Sequence, residues 1–384
     1  MRIYLVFCLL SSIVVDAQRF NINVGGDQLD RALYITHTAD GGYVACGYTG
    51  SFSSSIDAYL VKTDKAGNVQ WQKNYGGHKM DLGWSVLEVK GKGYLLHGST
   101  SSRRDTINQD IFLALIDYTG NLIWEKTYGN DHYERTTCVL ETIGGDLLLI
   151  GQRTAPDKLN IDSYMIKLSR SGDIIWEKTF GGPHVERTFY GVETKQGDFL
   201  VTGLILPHGT DKADILLLKV SAAGQLLWTK TYGEKDKHDI THSFTRNGDG
   251  KTFTLTGYSE SDSTGLHDGL FMQIDEEGVL LMSTRYHTGE DIRLMHSEET
   301  LDGGFIVTGY FRGDITRNIH DAILLKYSRN GIVQWRKNFG SVEADDQGYW
   351  VVVNKDGGYT IAGYTHSVGK GGDLWIIRTD EKGF

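Results

Sequence analysis

One short motif returns along the 384 residues of this chain. It reads WQKNYGG at 71–77, WEKTYGN at 124–130, WEKTFGG at 176–182, WTKTYGE at 228–234 and WRKNFGS at 335–341, with a degenerate copy from Met282 to Tyr286. The Trp-equivalent positions lie 53, 52, 52, 54 and 53 residues apart. Three further ladders keep this beat. Asp57, Asp110, Asp162, Asp214, Asp268, Asp321 and Asp373 each open an apolar run such as DAYLVK. Ten residues after each comes Gly67, Gly120, Gly172, Gly224, Gly278, Gly331 or Gly383. Another glycine ladder, Gly47, Gly98, Gly151, Gly203, Gly257, Gly309 and Gly363, closes runs such as GGYVACG. A fixed period of this size marks a repeat architecture, in which each unit buries its faces against its neighbours.

Each unit reads as four strands, A to D. In the third, RTTCVLET is strand A, a turn at Gly144-Gly145 leads into DLLLIG, a longer loop leads to DSYMIKL, and SRSG reverses the chain into DIIWEKTF. The runs are short, β-branched or aromatic, and bounded by turn formers. No segment keeps a 3.6-residue period over a helix length. Four-stranded units in tandem are the blades of a β-propeller. The last unit stops at Phe384, where its strand D should begin, and the missing strand stands at the other end of the chain. Phe20-Asn21-Ile22-Asn23-Val24-Gly25-Gly26 matches the WxKxYGG strand, with Phe20 at the Trp position. The expected fold is therefore all-β: a single seven-bladed propeller over 18–384, closed by the N-terminal strand completing the last blade.

Residues 1–17 read as a cleaved signal peptide, with Arg2 before an apolar run from Ile3 to Val15 and cleavage expected after Ala17. Cys8 leaves with it. Cys46 and Cys138 fall in different repeats and read as buried free thiols rather than a disulfide framework. The 48 glycines against 3 prolines suit many tight turns rather than a disordered linker. A net charge of −10 disfavours nucleic acid and anionic membranes as partners. No apolar stretch beyond the N-terminus is long enough for a membrane span. Export and a monomer are expected.

The repeats resemble those of secreted propeller-repeat proteins of Bacteroidetes-type bacteria, with DGGY-x-x-x-GYT and DxxGxxxW-x-K-x-YGG elements. Asp40-Gly41-Gly42-Tyr43 through Gly47-Tyr48-Thr49 carries the first element, and Asp64, Gly67 and Trp71 the second. The resemblance covers the whole chain after the leader. It implies export and a propeller; it implies no chemistry.

Candidate chemistry belongs to the D–A and B–C loops, which open on one face around the central channel. The seven Asp residues opening strand C recur in every blade and so answer a need of every blade, namely fixing the loop. The Trp ladder reads as core. A second acidic ladder, Asp30, Asp81, Glu134, Glu186, Asp239, Asp291 and Asp345, precedes strand A, where Glu134-Arg135, Glu186-Arg187 and Asp30-Arg31 look like local ion pairs. His78, His132, His184 and His238 fall in D–A loops, with no metal-binding spacing. Blade-specific departures are the better ligand candidates, since identical blades make identical surfaces: Arg103, Arg104, His208, Asp211, His267, Arg312, His320 and His366 on the loops, with Trp84 and Trp350 in strand A. No quinoprotein, sialidase or WD motif fits the spacing, and no GxSxG elbow, P-loop or dinucleotide fingerprint occurs. No cofactor or metal is expected. The sequence points to an exported non-catalytic scaffold presenting a loop face to a protein or polysaccharide. The alternative is a carbohydrate-active enzyme of glycoside-hydrolase type with Glu134 and Glu186 as its carboxylates.

Overall fold

The computed structural model describes residues 19–102, 109–130, 133–154, 160–261 and 265–384. The signal peptide expected at 1–17, Arg103, Arg104 and His132 lie outside the described residues. Twenty-eight strands run among the described residues, from β1 (Phe20–Val24) to β28 (Asp373–Thr379), and pair into seven four-stranded antiparallel sheets. Six sheets are made of consecutive strands. In the seventh, β1 lies beside β28, followed by Tyr359–Thr365 and Asp346–Val353. Phe20 faces Arg378, as Trp71 faces Lys62 in the first blade, so β1 occupies the strand D position in the register read from sequence. The seven inner strands touch one another in a closed ring, and the fold is a seven-bladed β-propeller.

The ladders are explained at the seams. Strands B and C are buried on both faces, as in Asp57–Thr63, because every blade is sandwiched between two others. The apolar core is accordingly divided among the seams: one cluster joins Val44 and Leu60 of blade 1 to Val86 and Leu96 of blade 2. The C–D turn glycines hold positive φ, such as +83° at Gly120, and each is packed under the preceding blade's strand D. A Cβ on Gly120 would lie 3.1 Å from the Trp71 ring, and one on Gly224 3.0 Å from Trp176. Gly67 packs in the same way on Phe20, which ties blade 1 to the closing strand. Two of the ladders are thus one contact seen from both sides.

The indoles are less buried than their recurrence suggests, because strand D is the outer edge of the blade. Trp176 is half-buried and donates from Nε1 to the carbonyl of Ala222 at 3.2 Å. Trp176→Ala is therefore expected to cost about 2–3 kcal/mol, below the full range for a core Trp. Urea unfolding measures this, and a loss under about 1 kcal/mol would show that the seam contact is dispensable.

The D–A corners explain the YGG glycine. At Gly76 a Cβ would come within 2.5 Å of Asp57, which opens strand C, and 2.7 Å of Asp81, which opens the next strand A. Gly25 stands likewise between Asp373 and Asp30, and Gly340 between Asp321 and Asp346. Burial and the neighbouring carboxylate push Asp214 and Asp321 up. The two acidic ladders are thus buried partners within seams.

The registers correct the second ladder at two places. Asp30 lies two residues before Ala32, the partner of Gly47, whereas Asp291 lies three before Leu294, the partner of Gly309. Ile292 therefore occupies the ladder position in blade 6. In blade 7 it is Asp346, not Asp345, which accepts from Thr365 and Ser367. Blade 6 thus lacks one carboxylate, and there the YGG glycine is replaced by His287, whose Nδ1 lies 2.7 Å from Asp268. Two acids around a glycine have become one acid beside a histidine.

Candidate functional site

All seven inner strands carry a register shift at the same place, between Ala32 and Tyr34, Gly83 and Ser85, Thr136 and Cys138, Thr188 and Tyr190, Thr241 and Ser243, Leu294 and His296, and Gly348 and Trp350. Such bulges leave one residue unpaired and re-aim its side chain. The skipped residues are Leu33, Trp84, Thr137, Phe189, His242, Met295 and Tyr349, and all seven line a cavity of about 270 Å³.

The next residues close this chamber from below. Trp350 stacks on His296 with ring centroids 3.5 Å apart, touches Tyr34 at 4.3 Å, and lies 5.9 Å from Tyr190 of blade 4. Beyond them is a second chamber of about 510 Å³, whose wall includes Thr36, Leu87, Leu140, Val192, Thr245, Glu298 and Val352. Burial pushes His296 down to about 3 and His242 to about 4, with Arg293 adding to the second, so both imidazoles are neutral at pH 7. Glu298 is pushed up to about 7 by burial, opposed by the hydrogen bond it accepts from the Val353 amide at 2.7 Å.

The mouth of the upper chamber carries four arginines on one register. Arg31, Arg135, Arg187 and Arg293 each face the residue after the strand B glycine: Tyr48, Gln152, Leu204 and Tyr310. The expected ion pairs between sequence neighbours do not form, because successive strand side chains point to opposite faces. Glu134 turns into the seam and meets Arg153 at 3.3 Å, while Arg135 lies 4.0 Å over the Trp84 ring. Asp30 accepts from Ser51 at 2.7 Å, while Arg31 lies 3.9 Å over Tyr364. Glu186 is buried beside Asp162, and that burial pushes its carboxyl up. Glu134 and Glu186 thus sit in separate seams.

Four of the loop candidates are assembled in two parallel clusters. His267 Nδ1 and Arg312 both meet Asp291, at 2.7 and 3.0 Å. Burial opposes ionisation of Asp291, but His267 outweighs it and holds the carboxyl at about 2. His320 meets Asp345 at 2.7 Å, Tyr364 donates to the same carboxylate, and it is held well below the usual range against burial. His366 Nδ1 donates to the Asp345 carbonyl at 3.2 Å. His208 is on the exposed rim, its amide donating to His184 Nδ1 at 3.0 Å, with Asp211 exposed nearby. Trp84 lines the upper chamber and Trp350 forms its floor. Sequence reasoning missed Arg135, Arg187, Phe189 and His242 as chamber residues; strand alternation alone could have separated Arg135 from Glu134.

Cys46 is buried and Cys138 partly buried, and both are free thiols. Among the described residues no group of three His, Cys, Asp or Glu is placed to hold a metal, and no helix is long and apolar enough to cross a membrane.

No protein-family profile and no curated protein matches the chain. Solved structures resemble it at the level of fold. A puromycin hydrolase is 11% identical with a TM-score of 0.59, over 92% of this chain and 52% of that one. PorZ of Porphyromonas gingivalis, a bacterial surface component of the type-IX secretion system, is 10% identical with a TM-score of 0.52, over 92% of this chain and 47% of that one. BBS1N, solved in complex with ARL6DN, is 8% identical with a TM-score of 0.51, over 94% and 97%. The chain spans about half the length of the first two. At these identities the likeness is one of fold alone.

Proposed function

We propose that this propeller is an exported, non-catalytic binding scaffold that takes a glycan or protein ligand at the channel mouth, on the face of the D–A and B–C loops. The apolar leader at 1–17 supports export. The observation that carries the binding reading is the upper chamber, a concave site walled by Trp84, Phe189 and Tyr349 with Arg135, Arg187 and Gln152 at its rim. Cavities lined by aromatic groups with a few convergent polar ones are where ligands bind. The nearby carboxylates are engaged elsewhere, Glu134 by Arg153 and Asp291 by His267 and Arg312. The groups left facing the cavity are suited to binding rather than proton transfer.

The test is a screen of the leaderless protein against a glycan array and a pull-down of surface proteins, followed by Trp84→Ala. Affinity for the retained ligand is expected to fall about tenfold or more at unchanged fold. Full affinity in the variant would place the site off the channel mouth. One observation favours the enzyme reading: the burial of Glu186, which raises its carboxyl as a general acid requires. Polysaccharide turnover abolished by Glu186→Gln would establish it.

A further inference from the structure

The four mouth arginines are equivalent in register but not in surroundings. Arg31 lies over Tyr364, and against burial its neighbours Tyr349, Tyr48, Tyr364 and Asp345 hold its guanidinium above the ordinary value. Arg293 lies 5.0 Å from Tyr258 and is held up in the same way by Tyr310, Tyr258 and Asp291. One half of the rim, from blade 5 round to blade 1, is therefore a network of His–Asp pairs, tyrosines and arginines in which each guanidinium has a carboxylate in its field, Asp345 for Arg31 and Asp291 for Arg293. The other half is not. Among the described residues, Arg135 and Arg187 meet no carboxylate, and this is what sets them apart; Arg135 has the Trp84 face, and the buried Nε of each, as in Arg31 and Arg293, has no hydrogen-bond partner. No carboxylate lines the upper chamber among the described residues, in a chain whose net charge is −10.

Two half-buried cations held without counter-charge are costly to the fold, and such an arrangement is a mark of a site awaiting an anion. Guanidinium groups favour planar oxyanions, which accept two parallel N–H bonds. The flat walls of Trp84 and Phe189 favour a ring, and the neutral imidazole of His242, the amide of Gln152 and the hydroxyl of Thr137 suit its hydroxyl groups. A cavity of about 270 Å³ holds a terminal sugar rather than a long chain.

Resting on the chamber as the binding site, we infer that its ligand is an acidic saccharide, a terminal uronate whose carboxylate is taken by Arg135 and Arg187 while its ring lies between Trp84 and Phe189. The experiment is calorimetry of the leaderless protein with oligogalacturonate and oligoglucuronate, with their methyl esters, with neutral glucose oligomers, with a sulfated oligosaccharide and with succinate. Binding of a uronate oligomer is expected, weakened about tenfold or more by esterification and by Arg187→Gln, as for loss of a hydrogen bond to a charged group. Because Arg187 has no hydrogen-bond or ion-pair partner among the described residues, Arg187→Gln is expected to keep or raise Tm. A fall in Tm of several degrees would show a structural arginine and overturn the inference. Preference for the sulfated oligomer, or for succinate over every uronate, would overturn it too. Equal binding of ester and acid, lost in Trp84→Ala but not in Arg187→Gln, would overturn the acidic specificity while leaving the chamber as a glycan site.

Discussion

A protein lacking residues 18–26 is expected to lose its ring closure and, with it, on the order of 5 kcal/mol of stability. β1 pairs along its whole length with β28, from Phe20 opposite Arg378 to Val24 opposite Leu374. Its side chains Phe20, Ile22 and Val24 belong to the cluster that joins the last blade to the first. Burying two half-covered and one covered apolar side chain supplies an energy of that order. Arg19 adds an ion pair to Asp380 at 2.6 Å, and Asn23 a bond to Asp373 at 2.6 Å. Deletion also uncovers the edge of β28, whose Leu-Trp-Ile-Ile run is an open template for strand pairing. Size-exclusion chromatography and urea unfolding are expected to show aggregation and a lower midpoint. A circular permutant provides the control. Phe384 takes the repeat position of Asn68 and Phe20 that of Trp71, so joining Gln18–Gly26 directly after Phe384 continues the register and is expected to restore both. A deleted protein that stays monomeric with an unchanged midpoint would mean the blade closes without β1.

The ring was legible because each ladder answers a local need that recurs. The C–D glycine must pass under an indole, the corner glycine must pass between two carboxylates, and Phe20 reproduces the first of these at the other end of the chain. The channel was not legible, because period-two alternation breaks at the bulge. Glu134 and Arg135 precede the bulge, so alternation alone separates them, Glu134 in the seam and Arg135 on Trp84; the residues beyond the shift have no such guide. Trp84 and Trp350 were recognisable as departures, yet only the shift between Gly83 and Ser85 and that between Gly348 and Trp350 sends the first indole into the chamber and the second into its floor. Asp345 shows the same limit: two adjacent acids satisfied the ladder equally well, and the pairing of Gly348 with Gly363 chose Asp346.

The lower chamber carries the second large effect, and it depends on pH. Glu298 is lifted from 4.5 to about 7 because burial disfavours its charge, with a single amide bond from Val353 opposing. The folded state therefore holds this proton more tightly than the unfolded chain does. Its contribution to stability is complete below about pH 4.5 and is lost as pH rises to about 7. Above that, the charged carboxylate costs the fold about 1–3 kcal/mol, the upper value being the full shift and the lower one allowing for water in the open chamber. The other titratable groups on this wall, among them His37, Glu141 and Arg246, are common to wild type and variant. Glu298→Gln keeps an oxygen to accept the Val353 amide and removes only the charge. The variant is expected to match wild type in urea unfolding at pH 4.5 and to exceed it by about 1–3 kcal/mol at pH 8. A difference independent of pH would show that Glu298 acts through packing. A variant weaker than wild type at pH 8 would mean that the carboxylate is paired in the fold, and that the apolar wall around it admits a cation.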